Sequence, residues 1–308
     1  MKLGFVIIMA GFENVVDRQP RYAEIRDMAL CVENAGLDSI WLYDHLLYRF
    51  PGQSTVGIWE CWSVLSALAE ATSRVEIGTL VTCNSFRNPA ILAKMAVTVD
   101  EISAGRLTLG IGAGWNKPEY DAFGIPFDYR YDRFEESLQI IRPLLKEGRV
   151  DFEGKYYRAL DCEITPRGPR KEGPPLMIGT LRGPRMIRMA AQYGDIWNSA
   201  YYDEPTSYVE PLAMLRAACE DVSRDPETLE VTATIALAYP DLGSPPTHTP
   251  TYFTGSANPD KLAEAFLEYE TLGVSHLMVE CTPYGEAGLE RVVASMDAYR
   301  KATSEEGG

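Results

Sequence analysis

Apolar and polar positions along the chain alternate between two rhythms. Short, nearly unbroken apolar runs recur: "LGFVII" at 3–8, "SIWLYDH" at 39–45, "RVEIGTLVT" at 74–82 and "RLTLGIGAG" at 106–114. Runs of this length without strict alternation predict strands buried on both faces. Between them the apolar residues return every three to four positions. Ile25, Met28, Ala29 and Val32 share one face of a helix within 20–36, and Gly36 stands where a helix C′ residue belongs. A second helix is expected over 59–72. A third is expected over 89–105, opened by Pro89, with Ile91, Met95, Val99 and Ile102 as its inner face and Gly105 at its end.

After the fourth strand the rhythm loosens. Residues 130–148 read as a helix bent or ended at Pro143. Residues 150–160 read as a small hairpin turning at Glu153-Gly154-Lys155, and 165–175 is polar and rich in proline. The rhythm then resumes with strands at 175–180, 195–201, 229–239 and 274–284. Helices alternate with them at 183–194, 207–223 and 258–273, and a closing helix is expected over 287–301. Eight strands and about eight helices in alternation predict a parallel sheet covered by helices, closed into a (β/α)8 TIM barrel. An open doubly wound sheet is the alternative. No change of composition divides the chain. Residues 1–308 are therefore expected to form one barrel domain, with 150–175 as an insertion and 239–256 as a mobile loop.

Composition narrows the function. The 308 residues carry 44 acidic and 29 basic side chains, a net charge of -15. With no basic stripe, this balance argues against a nucleic-acid partner. The six cysteines lie far apart, with no C-x-x-C pair, as in a reduced cytoplasmic protein. The N-terminal apolar run is short for a secretory signal, and no segment reaches membrane-spanning length.

In such a barrel the chemistry lies at the C-terminal ends of the strands. Asp44 and His45 fall at one. Histidine can give or take a proton near neutral pH, and Asp44 could orient it, hold a cofactor or cap the next segment. The plain alternative is a loop pair making local hydrogen bonds. "GIGAGWN", Gly110 to Asn116, has the look of a dinucleotide fingerprint. However, Trp115, Asn116, Lys117 and Pro118 interrupt the helix that fingerprint requires. Glycines there would instead let a flat ring approach the backbone, or simply form a tight turn. At 179–191, Gly179 and Gly183 free the backbone, a helix begins, and Arg182 and Arg185 add positive charge, which together suit a phosphate. A plain strand-to-helix turn is the other reading. His276 enters the eighth strand rather than leaving it, and His248 lies in a proline- and threonine-rich loop. Neither forms a metal-ligand pattern with His45, so no metal site is expected. Glu60 and Glu119 are possible site carboxylates, with a helix or loop surface position as the favoured reading of each.

Three stretches carry a resemblance: "AGLDSIWLYDH", the long block from Ser73 to Phe127, and "PPLMIGT" with "AAQYGDIWN". Together they resemble the bacterial luciferase-like family of flavin and deazaflavin oxidoreductases, over nearly the whole chain. The resemblance implies a (β/α)8 barrel that binds FMN or the deazaflavin coenzyme F-420 with its ring across the mouth. It also implies a cis non-proline peptide after the third strand, at Leu80–Val81. It makes His45 the active-site histidine, with Asp44 beside it to hold its ring. Gly112, Gly114 and Asn116 would lie next to the cofactor ring, and Gly179 and Thr180 would form the phosphate turn. The Asp-His pair is similar to that of the deazaflavin branch. Trp115 stands where sugar-phosphate dehydrogenases of that branch place a catalytic glutamate, which argues against that particular dehydrogenation. The expectation is an F-420-dependent oxidoreductase with His45 as proton donor or acceptor, and a homodimer. The alternative is a two-component FMN monooxygenase served by a flavin reductase. A non-catalytic flavin-binding barrel is the third reading.

Overall fold

The computed structural model describes residues 1–12, 18–181, 183–243 and 251–306. Its centre is a ring of eight strands: β1 (Lys2–Val6), β2 (Ser39–Leu42), β3 (Glu76–Thr79), β4 (Leu107–Gly112), β5 (Leu176–Gly179), β6 (Ile196–Ala200), β7 (Glu230–Ala238) and β8 (His276–Thr282). Each pairs in parallel with its neighbour, and β8 pairs with β1 through Phe5 and Val279, so the sheet closes. This is a (β/α)8 barrel. A closed parallel sheet leaves no edge, and right-handed crossovers place every helix outside it.

The lumen fills in layers. Along β2, Ser39 and Trp41 point inward, and along β8, His276 and Met278 do. Ser39 Oγ and His276 Nε2 lie 2.7 Å apart, and Trp41 packs edge-on to His276. Trp41 and Met278 share an inner cluster with Val6, Met177 and Ile196. Two glycines make this possible. A Cβ at Gly78 would stand 2.3 Å from the Trp41 ring, and one at Gly4 would stand 2.7 Å from its indole nitrogen. The indole therefore plugs the barrel where a side chain on β1 or β3 would have collided with it.

Outside lie α1 (Tyr22–Asn34), α2 (Cys61–Ala71), α3 (Pro89–Ile102), α4 (Lys117–Phe123), α5 (Arg130–Lys146), α6 (Pro184–Tyr193), α7 (Val209–Asp221), α8 (Pro259–Thr271) and α9 (Glu286–Glu306). Glu60, Asn88 and Asn258 cap α2, α3 and α8 by accepting from first-turn amides. Three local expectations are corrected. The inner face of α3 is Leu92, Ala93, Ala96 and Val97 with Val99, whereas Ile91 and Ile102 are exposed. The small alanines let α3 approach the sheet, and they shift the buried stripe by one position. Helix α5 continues through Pro143 to Lys146, and its last turn is closed by Glu147 N–H to Pro143 O. The hairpin (Arg149–Glu153 with Arg158–Glu163) turns over 154–157, where Glu136 on α5 accepts from the amides of Lys155, Tyr156 and Tyr157. Within the expected loop at 239–256, Phe253 and Thr254 extend beside β7, and 244–250 lie outside the described residues. No helix among the described residues is long and apolar enough to cross a membrane.

Candidate active site at the barrel mouth

His45 lies just beyond β2, at the C-terminal end of the barrel. Its ring packs between Tyr48, at 4.5 Å between centroids, and the exposed Trp115, at 5.6 Å and edge-on. The group that holds it is Glu119 on α4. Glu119 Oε1 is 2.9 Å from His45 Nδ1, and Oε2 accepts from the Leu46 amide at 2.8 Å. The Glu119 side chain is only 1% exposed. This corrects two expectations: Glu119 is no surface group, and Asp44 does not orient the imidazole. One signal in the sequence does point to Glu119. The spacing Asn116-Lys117-Pro118-Glu119 has the form of a helix start, which would place the carboxylate in a first turn at the mouth. Asn116 does not use its side chain as a cap. Its Nδ2 donates to Leu47 O at 2.9 Å, so residues 116–119 grip the segment 45–47 from both ends.

Asp44 turns the other way. It is buried, and Arg87 donates to both its oxygens at 2.6 and 3.1 Å, while the Cys83 amide adds a third bond at 3.0 Å. Arg87 also reaches Glu60, the cap of α2. One carboxylate thereby ties β2 to the loop after β3 and to the start of α2. Burial raises the Asp44 carboxyl above its ordinary range, and the Arg87 charge opposes that rise.

The loop after β3 carries the peptide that the resemblance indicated. Leu80–Val81 is cis, and Leu80 N–H is bonded to Leu42 O. Both side chains pack against the inner cluster. Gly112 and Gly179 flank Val81, and a Cβ on either would lie 2.9 or 2.8 Å from its methyl groups. The space a side chain would need at either position is taken by Val81. Gly114, at φ 76°, sits against Tyr120 Oη and Cys83 Sγ, where no Cβ fits. The Cys83 thiol is pushed up to about 12 by burial, so it stays protonated and is no nucleophile.

On the β5 side, the Thr180 amide donates to Asn198 O and so belongs to the barrel. Gly183 precedes α6, whose first turn has no side-chain cap. Arg185 is committed to Asp132 and Glu135, and Arg182 lies outside the described residues. The hydroxyls of Tyr43 and Thr82 near the mouth are buried and have no hydrogen-bond partner among the described residues. His276 sits at the opposite end of the lumen, where burial lowers it to about 3, and takes no part in the mouth. His248 lies outside the described residues.

The arrangement places one acid–base group, held by a buried carboxylate, at the same end of the barrel as the cis Leu80–Val81 peptide and the unpartnered hydroxyls of Tyr43 and Thr82. Known proteins share the barrel. The pyrimidine monooxygenase RutA of Cronobacter sakazakii is 32% identical over 174 residues, 54% of this chain and 50% of that protein. The chain thus spans about half the length of the curated relatives it matches. An F-420-dependent secondary alcohol dehydrogenase, held with an F-420–acetone adduct, superimposes with a TM-score of 0.79 at 18% identity, covering 97% of this chain and 99% of that one. A riboflavin lyase with modified FMN and riboflavin gives 0.80 at 15% identity, covering 98% and 92%. At those identities the likeness concerns the fold alone. The luciferase-like monooxygenase model matches residues 1–241. With a closed barrel, a histidine at the end of β2 and a match over that length, the chain belongs to the luciferase-like monooxygenase family of oxidoreductases.

Proposed function

We propose that the protein is an oxidoreductase dependent on coenzyme F-420, acting on a small organic substrate with His45 as proton donor or acceptor. The observation that carries this reading is the His45–Glu119 pair beside the cis Leu80–Val81 peptide. The residues present fit a flavin-type group. Leu80 and Val81 offer an apolar surface, the buried hydroxyls of Tyr43 and Thr82 offer hydrogen bonds, and the uncapped first turn of α6 suits a phosphate. The bound deazaflavin would supply the hydride chemistry. The protein's part is to deliver the matching proton. Glu119 accepts from Nδ1–H, which fixes the neutral tautomer and leaves Nε2 to exchange a proton with substrate. When His45 is protonated, the same carboxylate lies against the imidazolium and keeps the ring in place. The Asp44–Arg87 pair holds the loop after β3 at its distance from His45.

The second reading is an FMN monooxygenase supplied by a reductase, and the 32% identity to RutA favours it. The two readings separate in one experiment. The apoprotein is titrated with F-420 and with FMN, oxidised and reduced, by fluorescence. Selective binding of F-420 supports the proposal. Selective binding of reduced FMN overturns it in favour of the second reading, and binding of neither overturns both. His45→Gln should abolish turnover while leaving the preferred cofactor bound. A variant with wild-type kcat would refute the role given to His45.

A further inference from the structure

We infer that Trp115 sets the substrate class of this site: its indole face stacks on a flat, unsaturated ring and prefers it to a saturated ring of the same size. Three aromatic side chains contact the His45 ring. Tyr48 lies at 4.5 Å between centroids, Trp115 at 5.6 Å and Tyr43 at 6.4 Å. Tyr43 and Tyr48 are buried and belong to the inner cluster. Trp115 is 62% exposed. Of the three, it is the one whose ring surface is open to a molecule arriving at His45. The other exposed tryptophan, Trp59, is tied down by its indole N–H, which donates to Pro20 O at 2.7 Å.

An exposed ring stacks well only if little freedom is lost on contact. The backbone on both sides of Trp115 is fixed in advance. Tyr120 Oη donates to Ala113 O at 3.2 Å. Gly114 has φ 76°, and a Cβ there would stand 2.0 Å from Tyr120 Oη, so the turn packs directly on that tyrosine. On the other side, the buried Asn116 donates to Leu47 O at 2.9 Å, and the Glu119 amide donates to Asn116 O at 3.2 Å. Glu119 in turn holds His45. One short segment, 113–119, thus fixes the indole relative to the imidazole, and a ring lying on Trp115 is delivered beside His45. An indole face is uncharged, apolar and rich in π electrons. It gains offset-stacking contact with another planar ring, which a puckered saturated ring cannot match. A saturated ring is the more apolar of the two, so burial alone would rank it first. The inference rests on the role proposed for His45 and holds for either cofactor.

The test is calorimetry with benzamide and cyclohexanecarboxamide, which share one polar group and differ in the ring. The purified protein carries the cofactor it prefers, so that a probe cannot occupy the cofactor's place. If neither cofactor binds, the protein is titrated alone. Benzamide should bind roughly 2- to 10-fold more tightly. Trp115→Leu keeps an apolar side chain without the π face and should abolish the preference, whereas Trp115→Phe should retain it. Both variants change an exposed side chain, where substitutions disturb folding little. Equal or tighter binding of cyclohexanecarboxamide, no binding of either probe, or a Trp115→Leu variant that keeps the preference would overturn the inference. An unmodified protein that ranks the saturated probe first refutes it whatever the variants do. Cofactor titration of the same samples keeps the two ideas apart. A bound cofactor with no preference for the flat ring refutes this inference alone, and such a preference with neither cofactor bound refutes the proposed function alone.

Discussion

Replacing Arg87 by Met removes the only cation that contacts Asp44 among the described residues while keeping the length of the side chain. Asp44 is 2% exposed, and two of its three hydrogen bonds come from Arg87, at 2.6 and 3.1 Å. Only the Cys83 amide at 3.0 Å would remain. Breaking a buried pair by removing one partner costs about 3–5 kcal/mol. The bond to Glu60 adds little, because the Glu60 side chain is 42% exposed and such surface pairs are worth about 0–1 kcal/mol. At about 2 °C per kcal/mol for a chain of this size, the melting temperature should fall by about 6–10 °C. The pH dependence has a definite sign. Burial already raises the Asp44 carboxyl above 3.8, and losing Arg87 raises it further. The native variant then holds a proton that the unfolded chain has released, so its stability falls as pH rises through that window. The deficit should be largest near pH 8 and smaller near pH 5. Thermal melts of both proteins at the two pH values measure it. Adding Asp44→Asn should recover part of the loss, since no charge is then buried. A deficit below about 1 kcal/mol, or one that grows on acidification, would refute the reasoning.

Two further outcomes are expected. Glu119→Gln keeps the hydrogen-bond shape around His45 but removes the charge. It should lower kcat roughly tenfold or more, short of the ~10²–10⁴ that a positioned acid–base group contributes, and should move the pH–rate profile with cofactor affinity unchanged. An unmoved profile would reduce Glu119 to a structural part. His276 is buried, and its folded value is lowered from 6.5 to about 3. The unfolded chain therefore takes up this proton first, and stability is full above pH 6.5 and lost as pH falls toward 3. Each pH unit in that window costs up to about 1.4 kcal/mol. Denaturant titrations across it should show a shallower acid decline for His276→Gln, and identical slopes would count against the neutral buried imidazole.

Much of the frame is written locally. The continuous apolar runs and the three-to-four periodicity between them specify parallel strands and outer helices, and that alternation closes as a barrel. The end of the "SIWLYDH" run places His45 at the mouth, because a strand's C-terminal end is a property of its own residues. Contacts between distant segments are not written locally. Glu119 meets His45 across 74 positions, and Arg87 meets Asp44 across 43. Only closure and register bring them together, so Asp44 looked like the partner of its neighbour and Glu119 like a surface group. The glycines show the same division. Sequence marks Gly112 and Gly179 as places without side chains, and only the packed loop reveals Val81 as what fills the space. Periodicity determines which way a side chain points. Which group it meets there is decided by the tertiary structure, because a close-packed barrel fixes those distances through shear and closure.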